Sequence, residues 1–138
     1  MKKSVKIITG LLGFGMLIPG IAKFFEPFKT WIYRQVSITE MPFPEIMQYF
    51  VKFGEVGVGL ALLFLVFKAD NLDSSIKRKL FYLSNLTVAI MMVVAIYVHL
   101  HPDVPAEILP MESKPPYLAI FYLILISINF YLNRKVKK

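Results

Sequence analysis

Four long apolar runs, each bounded by clusters of charge or proline, constrain this chain more than any other feature. A helix rises about 1.5 Å per residue, so about 20 apolar residues cross a hydrocarbon core of ~30 Å. Such runs occupy residues 5–25, 44–67, 80–100 and 117–132. Each is continuously apolar rather than alternating, which argues against membrane-spanning strands. The expected fold is therefore all-α: a single transmembrane domain over residues 1–138, built as a four-helix bundle. Composition agrees, with 57% hydrophobic and 18% charged residues against roughly 45–50% and 25% in soluble domains.

The cations predict orientation. Lys2, Lys3 and Lys6 precede the first run, Lys68, Lys77, Arg78 and Lys79 separate the second from the third, and Arg134, Lys135, Lys137 and Lys138 end the chain. Only Lys29, Arg34 and Lys114 fall in the opposite loops. The positive-inside rule then sets both termini in the cytoplasm of a multi-pass cell-membrane protein. The net charge of +7 is accounted for by these flanks, and no Arg-rich face or aromatic-basic motif points to nucleic acid. Lys2-Lys3, the apolar stretch and Gly20-Ile21-Ala22 also resemble a secretory signal. The run is long for that role, and a retained helix is the expectation.

The loops on the lysine-poor side differ in character. Between Glu26 and Pro44, Phe28, Trp31, Ile32 and Val36 recur at helical spacing, and Pro27 suits a first helical turn. A short helix at the outer interface is expected there, with an irregular loop as the alternative. The second loop carries Pro102, Pro105, Pro110, Pro115 and Pro116. It reads as a stiff cap over the bundle or as a plain connector.

Charged residues at bilayer depth cost about 2.5–3.5 kcal/mol each on insertion scales, so they single out the candidate site. Counting from Pro44, Lys52 lies about 12 Å in and Glu55 about 16 Å in. Their i, i+3 spacing predicts an ion pair on one helix face, either structural or part of a ligand- or proton-handling site. Lys23 and Glu26 repeat the spacing at the end of the first run. His99 and His101 close the third, where i and i+2 diverge on a helix, so no metal site is expected. With Tyr49 these residues mark a polar half centred on Lys52 and Glu55, enclosing a site open to the outer face. The cytoplasmic half reads as smooth and glycine-packed, with a small-xxx-small pair at Gly57 and Ala61 and a kink at Pro19. Ser84, Asn85, Thr87, Ser127 and Asn129 are candidates for interhelical hydrogen bonds. The absence of cysteine excludes thiol nucleophiles, thiolate zinc sites and disulfides.

Gly20-Ile21-Ala22-Lys23-Phe24 at the end of the first run, Phe53-Gly54-Glu55-Val56-Gly57 in the second, and the loop from His101 to Pro116 resemble the DoxX-like family of small four-span membrane proteins. The resemblance implies a bundle with a shared site at Glu55 and Lys23. It implies either an accessory or binding subunit for a membrane or exported protein partner, or a membrane subunit of a quinone-linked oxidoreductase. In the second case quinone would be the cofactor, Glu55 would manage a proton, and His99 would bond a quinone oxygen.

Overall fold

Capping and proline chemistry fix where the helices of the computed structural model begin and end. It describes residues 1–134, so Lys135, Lys137 and Lys138 of the C-terminal cation cluster lie outside the described residues. The helices are α1 (Lys3–Ala22), α2 (Phe28–Ile38), α3 (Pro44–Lys68), α4 (Ser74–Leu100) and α5 (Tyr117–Arg134), with short 3-10 turns at Ala69–Asn71, Ala106–Ile108 and Pro110–Glu112. Four of them, α1, α3, α4 and α5, are long and apolar enough to cross a membrane. The protein is a multi-pass membrane bundle.

Two boundaries depart from the hydropathy reading. α1 stops at Ala22 because Phe24 and Phe25 turn back onto Ile21 O and Ala22 O, while Pro27 disfavours helix at Glu26. α4 begins six residues before the apolar run, since the Asp73 carboxylate caps it by accepting from Ser75 N at 2.9 Å. That cap satisfies one of the free amides of the first turn. The polar segment Ser74–Lys79 is thus helical without being apolar.

The expected short helix exists as α2. It does not present Ile32 and Val36 to lipid; both are buried against the bundle. Trp31, Ile38 and Met41 pack on Val98, Val104, Ile108 and Leu109, so α2 and the proline-rich loop together close one end. Of the two readings of that loop, the cap is the one observed.

α1 and α3 make the tightest contact. A Cβ on Gly59 would lie 2.7 Å from the Leu17 nitrogen and 2.9 Å from Gly13 O, so the two backbones meet there. Gly57, two residues and about 200° away on the helix, faces outward with nothing within 4 Å. The expected Gly57–Ala61 contact is replaced by Gly59. Leu12, Met16, Val58, Leu62, Val88, Met92, Ala119 and Ile126 fill the centre, whereas Phe14, Phe53, Phe64, Val93 and Ile124 point outward, as lipid-facing residues do.

The terminal half is not smooth. Thr9, Asn85 and Asn129 are wholly buried, and Asn129 Nδ2 donates to Thr9 Oγ1 at 3.1 Å and to Asn85 Oδ1 at 3.2 Å. This layer ties α1, α4 and α5 at one height. Thr87 and Ser127 instead donate to Leu83 O and Leu123 O of their own helices.

Candidate functional site

Glu55 is the deepest carboxylate, and its partner is Lys23 rather than Lys52. The Lys23 ammonium donates to Glu55 Oε2 at 2.7 Å. Glycine makes this possible: a Cβ on Gly20 would lie 2.9 Å from the Glu55 Cβ. The α1 backbone therefore rests on Glu55, and Lys23, one turn on, reaches over it. The i, i+3 prediction failed because an interhelical partner arrives from that face.

Lys52 is 1% exposed and holds its ammonium 4.8 Å from the Tyr49 ring centre and 5.4 Å from that of Phe24. Both distances are within cation–π range. The Glu26 carboxylate accepts from Thr30 N and Oγ1 at 3.3 and 2.6 Å and so supports the start of α2 instead of pairing with Lys23. His101 accepts from Asp103 N in the exposed loop. His99 is buried, with Nδ1 2.9 Å from Ser113 O. A carbonyl only accepts, so Nδ1 carries the proton.

Lys23, Glu55 and His99 line a cavity of about 400 Å³ inside the loop-end half of the bundle. Lys52, Tyr49, Glu26 and His101 are not on its wall. Two polar residues that the sequence did not single out are: Gln35 and Tyr122. Gln35 Nε2 donates to Ile108 O, joining α2 to the cap. Tyr122 owes its position to Pro19. Proline has no N–H, so the Gly15 carbonyl, four residues earlier, lacks its helical donor. The Tyr122 hydroxyl supplies one at 2.9 Å from α5, and a Cβ on Gly15 would overlap that hydroxyl. An orphaned carbonyl at Gly15 was legible from Pro19, but its donor was not.

The remaining wall is apolar and soft. Five of the seven methionines, Met16, Met41, Met47, Met91 and Met92, face it. Unbranched thioethers adapt to a ligand's shape more readily than branched side chains. Ile32, Gln35, Val36 and Pro110 roof the loop side. The exposed rim lies between α3 and α4, where Phe50 is 69% and Ile90 58% exposed.

Compared with known proteins, the chain matches no family model, no curated relative and no solved structure. The site is thus read from its own geometry. Among the described residues, no group of three or more His, Cys, Asp or Glu comes together as a metal site.

Tyr122→Phe is expected to cost about 0.6 kcal/mol, the average for an interhelical hydrogen bond in a membrane. Gly15→Ala costs more, because it also displaces the hydroxyl. Thermal unfolding in detergent checks the coupling: the Gly15→Ala penalty shrinks in the Tyr122→Phe background. Equal penalties in both backgrounds would remove Tyr122 from the account of Gly15.

Proposed function

We propose that this chain is a membrane-embedded binding protein that holds a small lipophilic molecule beside the Lys23–Glu55 pair, with both termini cytoplasmic. The supporting observation is the roofed, methionine-walled cavity in which that pair, His99, Gln35 and Tyr122 converge. Binding pockets are typically concave and mostly apolar, with a few convergent polar groups. The eleven-to-three distribution of cations supports the orientation. The DoxX-like resemblance fits the same reading through Lys23 and Glu55.

Native mass spectrometry of the protein in lipid nanodiscs tests this. The wild type should carry a bound small molecule that Ala95→Phe, which narrows the cavity, displaces. A wild type with no bound molecule, and no shift in unfolding temperature with any added lipophile, would end the proposal.

The Lys23 ammonium on the cavity wall, with hydrogens left to donate to a quinone oxygen, favours a second reading, a membrane subunit of a quinone-linked oxidoreductase. A co-purifying quinone lost in Glu55→Gln would support it. An accessory role would instead appear as a protein partner lost on replacing the 102–116 loop but kept in Glu55→Gln.

A further inference from the structure

Hydrogen-bond accounting narrows the ligand. Four side chains on the wall have already committed a hydrogen to a backbone carbonyl. Tyr122 donates to Gly15 O, Thr87 to Leu83 O, His99 to Ser113 O and Gln35 to Ile108 O. What remains on Tyr122 and Thr87 is an oxygen lone pair, and on Gln35 the amide oxygen. Glu55 adds a carboxylate. Apart from the His99 ring, the donor capacity left to these side chains is the rest of the Lys23 ammonium and the second Gln35 amide hydrogen.

Charge narrows it further. Lys23 and Glu55 neutralise each other at 2.7 Å. An anionic head would bring its charge beside Glu55, and a cationic head beside Lys23; either would compete for an existing partner in a poorly solvated site. A ketone or an ether only accepts, which leaves the acceptors unmet. A hydroxyl donates to an acceptor while accepting from Lys23, and it carries no charge.

The rim supplies the route. Phe50, Thr87, Ile90 and Val94 are cavity residues that are also exposed on the α3 and α4 surfaces, which face lipid in a membrane bundle. We infer that the cavity takes a neutral lipid alcohol, entering sideways from the bilayer between α3 and α4 with its hydroxyl at Lys23–Glu55 and Tyr122. This inference rests on the binding reading above and specifies its ligand class.

The test uses the full chain in nanodiscs loaded with equal mole fractions of tetradecan-1-ol, its methyl ether, tetradecanoate or tetradecylammonium. Unfolding midpoints are compared with those of Ala95→Phe, to remove effects of the bilayer itself. Should that variant fail to fold, Gly54→Phe replaces it, since a Cβ at Gly54 meets only the Met91 side-chain tip, at 3.4 Å or beyond. The alcohol should stabilise the wild type alone and bind at least tenfold more tightly than the ether. Tyr122→Phe should shrink that ratio. If the ether matches the alcohol, or a charged head binds best, the alcohol assignment is overturned while the binding reading stands. If no probe distinguishes the wild type from the filled variant, both fall.

Discussion

Replacing Lys23 with methionine is expected to destabilise the bundle by about 3–5 kcal/mol, because it leaves the Glu55 carboxylate without its partner. The Lys23 and Glu55 side chains are 20% and 11% exposed, so water does little to solvate a lone charge there. Glu55→Met has the converse effect on Lys23. It is the milder of the two, since a lysine at a helix end extends its ammonium towards the interface. The double variant, Lys23→Met with Glu55→Met, recovers most of the loss. Buried ion pairs are replaceable by apolar residues of similar volume at little net cost, and the methionine wall already accepts this side chain. Reversible unfolding in detergent measures the cycle. Recovery in the double variant, together with loss of the bound molecule, marks the pair as retained for the site. Additive single effects would mean that the two residues do not interact in solution.

The second large effect concerns Gly59. Gly59→Ala places a methyl 2.7 Å from the Leu17 nitrogen and 2.9 Å from Gly13 O. Both neighbours are backbone atoms and cannot rotate away. Overpacking of this kind costs about 1–3 kcal/mol. Because the same α1–α3 contact seats Gly20 on Glu55, the substitution also loosens Lys23 from the carboxylate and weakens ligand binding. Gly57→Ala is the control: it meets nothing within 4 Å, and the better helix propensity of alanine gains up to about 1 kcal/mol. Unfolding midpoints of the two variants should therefore move in opposite directions. A shared direction would contradict the packing described for α1 and α3.

How much of this was legible beforehand follows from which interactions are local. The spans could be read from apolar runs because membrane crossing is a property of one segment at a time. α2 could be read from the spacing of Phe28, Trp31, Ile32 and Val36. Pairings between helices were less accessible. Lys52 and Glu55 satisfy the local rule for an ion pair, yet Lys23 reaches Glu55 from 32 residues away, and Lys52 settles between two rings. The choice between Gly57 and Gly59 turns on helix rotation, which the density of small residues does not determine. Asp73 was readable as an N-cap, and an apolar window overlooks such a signal.

The central claim is that the cavity is a binding site for a bilayer-dissolved molecule, and the methionines report on it directly. Met16, Met41, Met47, Met91 and Met92 line the cavity; Met1 and Met111 do not. In nanodiscs, ¹³C ε-methyl spectra recorded while tetradecan-1-ol is added should show the five cavity signals shifting to saturation and the other two staying in place. Five unmoved signals, or Met1 and Met111 shifting as far as the rest, would contradict the account.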